Sequence, residues 1–155
     1  MMRIATPNDA DALAQLINGA FAVEMFFKRG DRTSSDDVRS LMGDGEFFVH
    51  DREDGSPGAC VFVKRANGRG YFGMLSVAPD IQGRGLARQI IAEVEDRLRR
   101  EGCDALDIYV VNLRTELPPF YRKLGYVESG TTPFPHPAEA TEPCHIIVMT
   151  KSLAE

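Results

Sequence analysis

Apolar residues recur along this chain with two different periods, and the switches between them divide it into elements. Leu13, Leu16, Ile17 and Phe21 follow helical spacing, and Asn8 or Asp9, just beyond Pro7, can cap a helix there. Residues 3–6 ahead of them read as a short strand. The apolar character continues through residues 21–27, and residues 28–32 read as a loop. Thr33 or Ser34 can then cap a second short helix carrying Val38 and Leu41, before Gly43. From here the period shortens to that of strands. Residues 46–50, 59–65 and 71–77 are strand-like, separated first by Gly55, Pro57 and Gly58 and then by the Asn67-Gly68 turn. An antiparallel meander is predicted.

The clearest helix follows. Leu86, Ala87, Ile90, Ile91, Val94 and Leu98 fall on one face, Arg97, Arg99 and Arg100 load the last turn, and Gly102 can end it in a left-handed conformation. Residues 105–111 read as a strand, and 117–124 as a short helix with prolines in its first turn and Gly125 behind it. Residues 126–128 and 145–151 complete the strands. Between them, residues 129–144 carry Pro133, Pro135, Pro137 and Pro143 and are too long for a tight hairpin. The order β-α-α-β-β-β-α-β-α-β-β predicts an α/β fold, a mixed central sheet of about seven strands with helices on both faces.

Composition narrows the function classes. A chain of 155 residues and 17.1 kDa is one domain long, so residues 1–155 are expected to form a single unit. The formal net charge of −5 is spread over both halves, with 9 basic against 12 acidic residues in 1–80. That balance argues against nucleic acid as a partner. No apolar run approaches the ~18 residues of a membrane span, and no signal-peptide layout opens the chain, so a cytoplasmic protein without membrane contact is expected. Cys60, Cys103 and Cys144 lack disulfide or zinc-knuckle spacing, and His50, His136 and His145 lack ligand spacing, so no metal is expected.

The chemistry concentrates in the run Leu75-Ser76-Val77-Ala78-Pro79-Asp80-Ile81-Gln82-Gly83-Arg84-Gly85-Leu86-Ala87. A strand ends, a glycine-containing turn follows and the longest helix begins at once. The first amides of such a helix lack internal partners and sit at the positive end of its dipole. Gly83 and Gly85 let an anion approach the backbone, and Arg84 and Arg88 add charge, so a phosphate or pyrophosphate suits the turn. A P-loop is excluded because no Gly-Lys-Ser/Thr occurs. A dinucleotide fingerprint would need a third small residue where Arg88 stands.

Gln82-Gly83-Arg84-Gly85-Leu86-Ala87 resembles the [Q/R]-x-x-G-x-[G/A] signature of the GNAT superfamily of acyl-CoA-dependent N-acetyltransferases. Leu75-x-Val77-x-Pro79 before it and Phe120-Tyr121-Arg122-Lys123-Leu124-Gly125-Tyr126 after it match as well. The resemblance implies a GNAT fold, acetyl-CoA as cosubstrate and an amine acceptor. It implies that Gln82, Gly83, Arg84, Gly85, Leu86, Ala87 and Arg88 hold the CoA pyrophosphate. It further implies that Leu75, Ser76 and Val77 offer backbone groups to pantetheine, and that Tyr121 lies near the thioester sulfur as the catalytic acid. A homodimer, frequent in that family, is a further expectation. One departure is that Asn112 precedes Tyr121 by nine residues where the family pattern has seven, with Leu117 in place of the usual Ala.

An amine of reference pKa ~10.4 must lose a proton before it attacks. Glu24, Glu46, Tyr71, His145 or a water chain are the candidate bases, with the choice open. By the same resemblance, residues 21–27 and 131–136 flank the acceptor. Direct attack in a ternary complex is expected, because Cys144-His145, the one Cys beside a His, would point its side chains oppositely on a strand. The alternative function is a noncatalytic acyl-CoA-binding sensor.

Overall fold

In the computed structural model of the chain, which describes residues 2–154, seven strands hydrogen-bond into one open sheet. They are β1 (Arg3–Ile4), β2 (Glu46–Asp51), β3 (Pro57–Ala66), β4 (Arg69–Val77), β5 (Ala105–Val111), β6 (Val127–Pro133) and β7 (His145–Ser152). Their spatial order is β1-β2-β3-β4-β5-β7-β6. All neighbouring pairs are antiparallel except β4 and β5, which are parallel. A parallel pair needs a crossover. The helix α3 (Leu86–Arg100) supplies it. The remaining helices are α1 (Ala10–Phe21), α2 (Ser35–Leu41) and α4 (Leu117–Lys123).

The alternation of side chains along β2 and β3 explains why both faces are covered. Phe47, Val49, Cys60 and Phe62 point to one side and pack with Leu13, Ile17 and Val38 of α1 and α2. Phe48, Val61 and Val63 point to the other and pack with Ile90, Ile91, Val94 and Leu98 of α3. The expected element order, mixed sheet and two-sided helix cover are all present. Ser34 caps α2, its hydroxyl accepting from the Asp37 amide at 3.1 Å. Gly102, at φ 89°, closes α3 while the Cys103 amide reaches back to the Leu98 carbonyl at 2.9 Å.

Two segments differ from the sequence reading. Residues 22–26 form a 3-10 helix rather than an extension of the apolar run. Strand β6 runs to Pro133, five residues beyond the expected Glu128. It is an edge strand, so a proline at its end breaks no interior ladder. A register shift between Glu128 and Gly130 lets the pairing with β7 continue. The connection left over, residues 134–144, contains the short 3-10 turn Pro137–Glu139.

Candidate active site

The parallel pair β4–β5 is short. It joins Arg69 to Ala105, Gly70 to Leu106 and Tyr71 to Asp107, and then stops, although β4 continues to Val77 and β5 to Val111. The cause lies on the other side of β4. Gly73 pairs with Phe62 and Ser76 with Cys60, so β4 carries one extra residue across that interval. Met74 absorbs it at φ 53°. Such a bulge bends and twists its strand. Beyond it, β4 follows β3 and leaves β5, and the edge of residues 72–77 that faces β5 has no ladder partner. The Ser76 hydroxyl donates to the Met74 carbonyl at 3.0 Å and is buried, so its side chain braces the bulge. Leu75 and Val77 pack on the α3 side of the sheet. The three sequence-predicted contact residues on β4 thus lie on a free backbone edge.

The chain leaves β4 through the 3-10 turn Pro79–Ile81, and the Gln82 side-chain amide donates to the Val77 carbonyl at 2.9 Å, fixing the turn to the strand end. Arg52 braces it from outside through Asp80 at 2.8 Å. Gly83 and Gly85 follow at φ 79° and 76°, both left-handed, and Gly85 is the cap of α3. A side chain at either would be strained there. A Cβ at either would meet nothing within 4 Å, so the glycines leave open space above the backbone. Among the described residues, no group accepts from the amides of Gly83, Arg84, Gly85, Leu86, Ala87 or Arg88. The first helical bond is Gln89 to the Gly85 carbonyl at 3.2 Å. Six consecutive free donors at a helix N-terminus suit a pyrophosphate. Arg84 and Arg88 have no ion-pair partner among the described residues, and the Arg88 guanidinium lies 6.0 Å from the Phe120 ring centre.

Helix α4 brings Tyr121 to the fork. Leu117 opens it, and Pro118 and Pro119 occupy first-turn positions where no amide is required. The Tyr121 ring lies 6.2 Å from that of Phe72, the first β4 residue past the last β4–β5 pair, and 5.7 Å from that of Tyr126. No described group hydrogen-bonds to its hydroxyl. Burial pushes its pKa up to about 12, with the Arg114 guanidinium opposing the shift and Tyr71 adding to it. At neutral pH it is a phenol, a donor rather than a base. Tyr126 is wholly buried, and its hydroxyl donates to Glu95 at 2.7 Å, while Lys151 takes the other Glu95 oxygen at 2.9 Å. This polar anchor beneath Tyr121 is invisible in the sequence, where Tyr126 reads only as an aromatic.

Two loops outside the sheet are sewn together. The Arg29 amide donates to Glu139 at 2.8 Å, the Thr141 amide to Phe27 at 2.7 Å, and Lys28 and Ala140 form a bridge. The segments after α1 and before β7 therefore form one unit, with Phe27 and Phe134 rings 6.5 Å apart. Glu24, in the 3-10 helix, is buried and accepts from Arg114 at 2.9 Å, and Arg114 also reaches Glu116 at 3.0 Å. That ion pair, missed in the sequence, ties the 3-10 helix of residues 22–26 to the entry of α4. Glu24 and Arg114 are ninety positions apart, so no local spacing betrays it.

Of the candidate bases, Glu24 is thus held by Arg114, and Glu46 is held by Arg65 at 3.1 Å. Tyr71 sits at the fork, where burial raises its pKa while Arg32 opposes the rise. Its phenol is held protonated. His145 is exposed at the start of β7. Asn112 uses its side-chain oxygen to accept from the His145 amide at 2.8 Å, extending the β5–β7 ladder. Cys60 is buried and its thiol pushed up to about 12, while Cys144 is partly exposed with its thiol raised by desolvation. Neither is poised as a nucleophile.

The family profile described as "Acetyltransferase (GNAT) domain" matches residues 43–128. That stretch includes the bulge, the amide cradle and Tyr121. An acetyltransferase of Yersinia enterocolitica is 32% identical over 93 residues, a match covering 60% of this chain and 66% of that protein. Among solved structures, a ribosomal-protein-alanine N-acetyltransferase from Brucella melitensis superposes with a TM-score of 0.76 at 17% identity, covering 98% of this chain and 99% of that one. Nourseothricin acetyltransferase superposes with a TM-score of 0.74 at 21% identity, covering 99% and 98%.

Proposed function

This chain belongs to the GNAT acetyltransferase family, and from that premise we propose that it moves an acetyl group from acetyl-CoA to a primary amine by direct attack in a ternary complex. The observation that carries the reading is the succession of three features along and beside β4. Among the described residues, the amides of residues 83–88 lack partners and the β4 edge of residues 72–77 is unpaired, and the Tyr121 ring lies near Phe72, where the β4–β5 pairing ends. In this reading the free amides, with Arg84 and Arg88 beside them, hold the pyrophosphate. The unpaired β4 edge accepts pantetheine much as it would accept another strand. The thioester then lies at the fork.

Tyr121 acts as the acid. Its phenol is protonated through the neutral range, and no described residue hydrogen-bonds its hydroxyl to compete for the proton. As the C–S bond breaks, charge builds on the departing sulfur, and a phenol held close to it can pass its proton in step with that departure. With both carboxylates of the candidate set engaged by arginines and Tyr71 held protonated, the amine proton leaves to the exposed His145 or to water. The raised thiols and the absence of a His partner for them favour direct attack over an acyl-cysteine route.

The test is thiol release from acetyl-CoA across a panel of primary amines, with the acetylated product identified by mass spectrometry. Amine-dependent release is expected. Tight acetyl-CoA binding with no turnover on any amine would make the protein a sensor instead.

A further inference from the structure

Arg32 lies on the connection between α1 and α2, and two hydrogen bonds hold that stretch in place. The Thr33 amide donates to the Asn18 side-chain oxygen at 2.9 Å, and the Asn18 amide group donates to the Thr33 carbonyl at 3.0 Å. The guanidinium sits 5.3 Å from the centre of the Phe21 ring and is half-buried. Among the described residues no carboxylate reaches it. Its neighbours contrast with it, since Arg39 pairs with Asp36 and Asp11, and Arg114 with Glu24 and Glu116.

Its position matters more than its isolation. Phe21 and Tyr71 pack against the same core cluster, so Arg32 stands on the sheet face that carries Tyr71, and its charge acts on the Tyr71 hydroxyl. Tyr71 is the last β4 residue paired with β5. Arg32 therefore faces the fork. From Tyr71 to Val77 the strand runs about 20 Å at ~3.3 Å per residue, and the amide cradle lies beyond that. The cradle thus follows the far end of β4 from Tyr71, the residue beside which Arg32 stands.

A partly desolvated guanidinium without an anion is costly, and stacking on a phenyl face recovers only part of that. Stacking leaves the in-plane N–H edge unused, and that edge matches a carboxylate through two parallel hydrogen bonds. Resting on the acetyl-transfer reading above, we propose that Arg32 receives a carboxylate borne by the acceptor, so that the acceptors are amino acids rather than uncharged amines or polyamines. Arg32 holds the acid group while the amino group points to the fork. A polyamine would bring a second cation against the same guanidinium.

The experiment compares α- and ω-amino acids with their carboxamides, and with phosphoethanolamine, in thiol release at saturating acetyl-CoA. Each acid is expected to exceed its amide in kcat/KM by at least about tenfold, a charged hydrogen-bonded contact being of that order. Arg32→Gln should raise KM for the acids about 10- to 100-fold, leave kcat and the amides nearly unchanged, and lose the acid preference. Arg32→Lys should restore part of it, and Arg39→Gln, which removes an exposed ion-paired charge on α2, should change nothing. Acids no better than amides, an equal loss for both in Arg32→Gln, or a preference for phosphoethanolamine would overturn the inference. If no acceptor turns over, calorimetric titration of the amino acids into CoA-saturated protein decides. Carboxylate binding that Arg32→Gln abolishes upholds the site and rejects acetyl transfer, whereas no binding rejects the site. Titration with acetyl-CoA alone tests the cosubstrate reading separately.

Discussion

Breaking the Glu24–Arg114 ion pair from each side should give unequal losses. Both side chains are largely buried, at 7% and 15% exposure. Arg114→Met leaves the buried Glu24 carboxylate without its arginine. Orphaning a buried charge in this way costs ~3–5 kcal/mol. At this chain length that is a drop in Tm of roughly 6–20 °C. Glu24→Gln is milder, because Arg114 keeps Glu116 at 3.0 Å and the amide oxygen can still accept. A loss of ~1–2 kcal/mol is expected. The double variant should lose less than the sum of the two, by ~1–3 kcal/mol, since neither partner is then left charged and alone. Urea unfolding of the four proteins measures this directly. The same set separates structure from chemistry. If Glu24 serves only as the anchor of Arg114, Glu24→Gln keeps kcat within a few-fold and leaves its pH profile in place. A folded Glu24→Gln protein that loses ~10²–10⁴-fold in kcat would make Glu24 the base and refute the structural assignment. So would a Glu24→Gln loss in stability larger than that of Arg114→Met.

Gly85→Ala places a Cβ at φ 76°, so it should lower Tm by about 2–8 °C and weaken acetyl-CoA binding about tenfold or more. Gly102→Ala, equally left-handed at the far end of α3, should lower Tm without touching affinity, and equal calorimetric affinities for all three proteins would dismiss the cradle. Stability should also fall at high pH. Cys60 and Tyr121 are both raised to about 12 by burial, so the unfolded chain releases these protons first, and the stability present below the unfolded pKa values is lost as pH climbs. The loss is ~1.4 kcal/mol per pH unit per group, beginning near pH 9 for Cys60 and near pH 10 for Tyr121. Unfolding free energy that stays flat from about pH 9 to 11, or a Cys60→Ala variant with an unchanged slope, would count against it.

Much of this arrangement is legible in the sequence because it is local. The α3 face, its Arg-rich last turn, the Ser34 cap and the glycines before Leu86 each declare themselves within a few residues. The turn with its two glycines and two arginines stands out in the sequence in the same way, as a place that would suit a phosphate. The fork is not. It depends on one extra residue in β4 relative to β3, and Met74 in a left-handed conformation carries no mark in a run of ordinary strand residues. The length of β6 is hidden for a related reason, since proline and glycine argue against a strand unless the strand is known to lie at an edge. The roles of Arg114, Glu24 and Arg32 rest on partners far away in the chain or on the lack of any. Charge counting treats such residues as solvated surface. Tyr126 shows the same limit, because its hydroxyl is explained only by Glu95 and Lys151 converging beneath it.

Tyr121→Phe tests the central claim most directly. The ring stays and packs as before on Phe72, Phe120 and Tyr126, and the hydroxyl that is lost has no partner among the described residues, so Tm should hold or rise slightly. Acetyl-CoA affinity should also hold. The measurement is kcat for thiol release with an amine acceptor the wild-type protein acetylates. A fall of ~10²–10⁴-fold is expected, the usual worth of a positioned general acid. Wild-type kcat in a folded Tyr121→Phe protein would contradict it and leave Tyr121 as a packed aromatic at the fork.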